Sequence, residues 1–126
     1  MLIFKDCDLQ QAVDGAAFAT FVASGQTCIM GARLIIHKDI YSSFLELLAS
    51  KVKRIRMGDP FVLDTQMGPV ISASAKARIS GMVDAAVREG AIVRAGGCAP
   101  DLSPPFNRLF KFHSAVEKRW NKERSI

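Results

Sequence analysis

Cysteine is sparse in this chain of 126 residues: Cys7, Cys28 and Cys98 lie far apart and form no Cys-x-x-Cys pair. An odd, widely spaced set argues against a disulfide scaffold. The two histidines, His37 and His113, complete no metal-ligand spacing with them. Long apolar runs are lacking as well, and none approaches the roughly 20 residues of a membrane helix. The opening Met1-Leu2-Ile3-Phe4-Lys5-Asp6 is too short for the apolar region of a signal peptide. A cytoplasmic location without a membrane partner is the simplest reading. The length leaves room for one domain and one core at most.

Acidic residues are in deficit, 12 against 17 basic ones, for a net charge of +5. The excess is not spread along the chain. Between residues 106 and 126, six basic residues (Arg108, Lys111, Lys118, Arg119, Lys122, Arg124) face only Glu117 and Glu123, which accounts for four of the five charges. The tail could touch polyanions weakly; the rest of the chain carries no nucleic-acid signature.

About half of the residues are apolar, and their spacing alternates between two periods. Leu9, Val13, Ala16, Ala17 and Phe21 predict a helix over 8–23, capped by Asp6 or Asp8 and ended at Ser24-Gly25. Arg33 to His37 reads as a buried strand. A second helix, over 40–55, starts from Asp39 and presents Phe44, Leu47, Leu48, Val52 and Ile55. Gly58-Asp59-Pro60 breaks it, and Gly68-Pro69 marks a further turn. Ser72 or Ser74 opens a third helix with the stripe Ile79, Met82, Val83, Ala86 and Val87, which Gly90 stops. Ala91 to Ala95 is a second strand, ending at Gly96-Gly97. This rhythm predicts an α/β fold with parallel strands and covering helices. Both strands read as inner strands of one sheet, so missing neighbours would leave aggregation-prone edges. Composition shifts at Pro100 to Pro105, and the segment beyond reads as a poorly ordered basic tail.

One residue stands out chemically. A thiol attacks as its thiolate, so a nucleophilic cysteine needs access and a setting that stabilises negative charge. Cys28 follows a helix end and precedes a strand, with Gly25, Gln26, Thr27, Ile29, Met30 and Gly31 around it. Glycines there let the backbone approach a ligand closely. Taken alone, the cysteine suits a buried core thiol better than a nucleophile. Cys7 reads as a partly exposed thiol at a helix start, Cys98 as idle, and His37 as a surface or hydrogen-bonded histidine.

The longer string decides between these. Phe21-Val22-Ala23-Ser24-Gly25-Gln26-Thr27-Cys28-Ile29-Met30-Gly31-Ala32-Arg33 resembles the cysteine signature of the aldehyde dehydrogenase superfamily. Phe4 to Val13, Asp39 to Phe44, Met57-Gly58-Asp59-Pro60 and Gln66-Met67-Gly68-Pro69 look like that family's flanking elements, in its order and spacing. The resemblance covers residues 3 to 105. It implies a partial catalytic domain over 1–105, followed over 106–126 by an unrelated basic tail, disordered or out of frame. Met30 departs from the family's small residue at that position and implies a narrowed or reshaped pocket.

The resemblance further implies an oxidoreductase that takes a small aldehyde to a carboxylic acid with NAD or NADP. Cys28 would be the nucleophile, passing through a thiohemiacetal and a thioester. The family's Glu-Leu-Gly-Gly base and its cofactor-binding βαβ domain have no counterpart in these residues, so the isolated chain is expected to be inactive. Two other functions compete: a non-catalytic remnant that pairs with a full-length relative, and a small basic module that contacts nucleic acid.

Overall fold

The computed structural model describes residues 1–97 and 114–117. Cys98, His113 and the composition shift at Pro100 to Pro105 lie outside the described residues. Along the chain run β1 (Leu2–Ile3), α1 (Leu9–Phe21), β2 (Ile35–Ile36), α2 (Tyr41–Lys53), α3 (Ala73–Arg88), β3 (Ile92–Gly96) and β4 (Ser114–Glu117). The α/β class holds, and the first unit brings two parallel strands together across α1, with Leu2 opposite Ile35 and Ile3 opposite Ile36.

Helix α1 begins where the sequence placed it, and Asp8 is the residue that caps it, accepting from the Gln11 N–H at 2.8 Å. Its periodic face buries Val13, Ala16 and Ala17. These small residues let α2 lie close, and Phe44, Leu48 and Val52 of α2 fill the space. Ile3 of β1 and Ala95 of β3 complete the core, with Cys7, Leu9, Phe21 and Leu34 packed around it. At the helix surfaces the Lys51 ammonium meets the Asp14 carboxylate at 2.7 Å. Their hydrogen bond holds the Asp14 carboxyl below the usual carboxylate range. Both groups are substantially exposed, so the pair orients the helices more than it stabilises them.

Several expectations are corrected. Asp39 does not cap α2: it lies in a 3-10 turn over Lys38–Ile40, and the His37 Nδ1 accepts its N–H instead. Helix α3 starts at Ser72, whose hydroxyl accepts from the Ala75 N–H, but it buries none of its residues. Met82 and Val87 of its expected stripe are exposed, because too little lies over that face among the described residues. The strands expected in one parallel sheet form two separate pairs. β3 pairs antiparallel with β4, with a register irregularity between Val93 and Ala95. Ser114–Glu117 thus departs from the unstructured tail read from the sequence, because β3 offers an edge of backbone groups that a short extended run satisfies.

Nor is β2 a buried strand. Its ladder is two residues long, extended by bonds from the Ile35 N–H to the Met1 carbonyl and from the His37 N–H to the Ile3 carbonyl, both 2.9 Å. Ile35 is 65% exposed, beside Leu2 at 66% and Phe4 at 63%. An apolar strip with free strand edges invites pairing with another chain. We expect the chain to self-associate with rising concentration, and Ile35→Lys to shift it toward monomer with an unchanged circular dichroism spectrum. Sedimentation velocity over a dilution series checks this.

Candidate active site

The segment after α1 leaves the helix through an abrupt reversal. Ala23 (φ 49°), Ser24 (φ 57°) and Gly25 (φ 68°) are three successive left-handed residues. That conformation costs about 1–2 kcal/mol for each residue with a side chain, and only Gly25 adopts it freely. A turn that carries such cost persists where surrounding contacts hold it. Two of these are visible. The Ser24 hydroxyl donates to the Gly68 carbonyl at 2.9 Å, and the Gln26 Oε1 accepts the Ile71 N–H at 3.0 Å.

Next comes a tight turn in which the Met30 N–H donates to the Thr27 carbonyl at 3.2 Å, leaving Cys28 and Ile29 at its apex. Cys28 is exposed and carries a free thiol, which overturns the buried-core alternative. Ile29 is 82% exposed beside it. Among the described residues the Cys28 N–H meets no acceptor.

Gly31 closes the loop against α1. Its N–H donates to the Ala19 carbonyl at 2.7 Å, and its own carbonyl accepts the Thr20 hydroxyl at 3.1 Å. A Cβ here would stand 3.1 Å from the Ala19 Cβ and 3.2 Å from the Met1 Sδ, so this glycine serves close packing. Met30 turns its Cε toward Gly25, 3.7 Å from where a Cβ would be, and so packs inside the loop.

The opposing segment is itself well tied. The Arg56 carbonyl accepts from the Gln66 and Met67 N–H groups, the Arg56 N–H donates to the Gln66 Oε1, and the Arg56 Nε donates to the Asp64 carbonyl. Met67 and Val70 are buried. The turn holding Gly68 and Ile71 is therefore a fixed base for the Cys28 loop. Sequence reading flagged both segments but not the contact between them, since Ser24 and Gln26 reach across 44 and 45 residues.

Elsewhere, Cys7 is half-buried against the core, and His37 is occupied with its own turn. Among the described residues, one open groove of about 450 Å³ lies beside Tyr41, Lys53 and Arg94, and another of about 200 Å³ runs along Leu2, Phe4 and Ile35. Neither is lined by the Cys28 loop. Among the described residues no cluster of metal-ligating side chains is found, and no helix is long and apolar enough to cross a membrane.

Comparison with known proteins matches this arrangement to one family. The sequence model described as "Aldehyde dehydrogenase family" matches residues 1–108. The chain belongs to the aldehyde dehydrogenase family. It is 39% identical over 102 residues to a betaine aldehyde dehydrogenase of Brucella ovis, covering 81% of this chain and 21% of that one. Among solved structures it is similar to PnpE of Pseudomonas sp. WBC-3, with 42% identity and a TM-score of 0.88 over 94% of this chain and 24% of PnpE. It is likewise similar to a Staphylococcus aureus betaine aldehyde dehydrogenase in complex with NAD+, with 36% identity and a TM-score of 0.87, over 91% of this chain and 23% of that one. The chain thus spans between a fifth and a quarter of these aldehyde dehydrogenases. PnpE has also been solved in complex with nicotinamide adenine dinucleotide. Among the described residues no glycine-rich turn lies between a strand and a following helix.

Proposed function

We propose that this chain carries the nucleophile segment of an NAD(P)-dependent aldehyde oxidoreductase, with Cys28 as the attacking thiol. The observation behind this is the exposed Cys28 at the apex of a turn braced on both sides, with its own N–H unengaged among the described residues. The thiolate sulfur adds to the aldehyde carbon, forming the C–S bond while the carbonyl π pair moves to oxygen. The Cys28 N–H is the donor that would receive this oxyanion. Oxidation of the resulting thiohemiacetal and hydrolysis of a thioester call on groups that the described residues do not supply, so no step is derived through them. NAD or NADP as acceptor for a whole protein of this kind draws support from the NAD-bound relatives.

A second reading, a non-catalytic segment that pairs with a full-length relative, draws on the exposed Leu2, Phe4 and Ile35. The two are separated by p-nitrophenyl acetate. The ester acylates a positioned thiol without any cofactor: the C–S bond forms, the C–O bond breaks and p-nitrophenolate leaves. We expect mass spectrometry to find the acetyl group on Cys28 before Cys7 or Cys98, and no sustained NADH formation by the chain alone with aldehydes. Preferential acetylation of Cys7 or Cys98 would favour the second reading.

A further inference from the structure

We propose that Ser24 and Gln26 are positioning residues for Cys28, acting as a two-point clamp that fastens the left-handed turn to the segment over 68–71. This rests on the reading of Cys28 as the nucleophile. Ala23 and Ser24 occupy a backbone conformation that their side chains disfavour, so the turn relaxes unless something holds it. The hydroxyl of Ser24 on the Gly68 carbonyl and the amide oxygen of Gln26 on the Ile71 N–H hold it from two successive points. They lie on the upstream side of the thiol, whereas Gly31 fixes the downstream side to α1. Between these supports only Thr27 to Met30 remain to follow. The direction of the Cys28 side chain relative to its own N–H is therefore set by how the clamp is closed.

Both contacts are poorly suited to a purely stabilising role. Gln26 is exposed and Ser24 only half-buried, so water could replace either partner with little loss of stability. What water cannot replace is the placement of the loop, and placement matters to a reaction that needs thiol and oxyanion donor aligned together.

Two electrophiles separate placement from mere integrity. Iodoacetamide alkylates any accessible thiolate and needs no oxyanion donor. p-Nitrophenyl acetate passes through a tetrahedral oxyanion and does need one. In the full chain we expect Ser24→Ala and Gln26→Leu each to lower Cys28 acetylation about ten-fold relative to Cys28 alkylation, with circular dichroism and melting unchanged. Ser24→Asn keeps a donor and tolerates the left-handed backbone, so it should restore the ratio. Gln26→Glu keeps the acceptor for Ile71 and should retain most of it.

A ratio that stays at the parent value in Ser24→Ala and Gln26→Leu would overturn the clamp, as would failure of Ser24→Asn to rescue. If a variant melts early, hydrogen exchange at the Ile71 amide in the parent chain gives a second measurement: protection supports the Gln26 contact and free exchange refutes it. Failure of the underlying reading looks different, since the parent itself would then show no preference for Cys28 with p-nitrophenyl acetate.

Discussion

Cys28→Ala is expected to lower acyl-enzyme formation from p-nitrophenyl acetate by on the order of 100-fold or more, whereas Cys7→Ala should leave it almost unchanged. The contrast follows from where the two thiols sit. Cys7 is half-buried against the core, in the segment that joins β1 to α1. Cys28 stands exposed at the apex of the Thr27–Met30 turn, with an unengaged N–H beside it among the described residues. Removing the sulfur removes the atom that forms the new bond, so no rearrangement of the loop can compensate. Cys28→Ser is the sharper variant: it keeps the shape and a hydroxyl, yet a hydroxyl without an adjacent base is a far weaker nucleophile at neutral pH. Stopped-flow release of p-nitrophenolate, with peptide mapping of the acetyl group, reads both effects. An acetylation rate in Cys28→Ala within a few-fold of the parent would assign the chemistry to another group and remove the basis for an aldehyde-oxidising role.

The position proposed for the nucleophile was legible because its signal is local. Gly25, Gln26, Cys28 and Gly31 lie within seven residues, and their order carries the family resemblance without any knowledge of the fold. The clamp was not legible for the opposite reason. Ser24 and Gln26 meet a carbonyl and an N–H that any residue could supply, so the partner segment leaves no side-chain mark at those atoms. The left-handed backbone at Ala23 was hidden too, since alanine, unlike glycine or asparagine, gives no sign of it. Gly25 alone announced a reversal, and it announced the third residue of it.

The fold divides in the same way. Helices α1, α2 and α3 emerged close to their expected spans because a three- and four-residue apolar spacing runs through each. Asp8 and Ser72 cap as their chemistry suggests, whereas Asp39 does not, because it lies inside a 3-10 turn that leaves Ile40 at the N-cap position. Strand partnership was the poorly legible part. Ile35-Ile36 and Ile92 to Gly96 looked equally apolar on both faces, and nothing in either run names its neighbour. β1 escaped notice altogether: Leu2 and Ile3 form too short a run to read as a strand, yet their pairing with β2 closes the first unit. Apolar pattern gives the face a strand could bury, whereas the contacts that bury it are set by residues elsewhere in the chain.

That dependence makes the buried centre unusually sensitive, and Phe44→Ala is expected to lower stability by about 3–5 kcal/mol. Phe44 is fully buried between α1 and α2, within one cluster with Val13, Ala16, Ala17, Leu48, Val52, Ile3 and Ala95. Its neighbours on α1 are two alanines and a valine, side chains too short to collapse into the space that a lost ring leaves. Among the described residues only Val13 is otherwise a large side chain buried to the same extent, and Phe21 is a partly buried ring packed against the cluster. A domain of this size has a total stability of roughly 5–15 kcal/mol, and a small single core places it toward the low end. The substitution should therefore abolish the cooperative thermal transition or shift it down by many degrees. Phe18→Ala serves as the control: the same ring is lost from α1, but Phe18 is 70% exposed and its removal should change stability by no more than about 0.5 kcal/mol. A second readout comes from Cys7, which packs against the cluster and should alkylate faster in Phe44→Ala but not in Phe18→Ala. Equal melting of the two variants would mean that the α1–α2 interface is not what holds the segment together. Cys28 would then be borne by a loop without a fixed base.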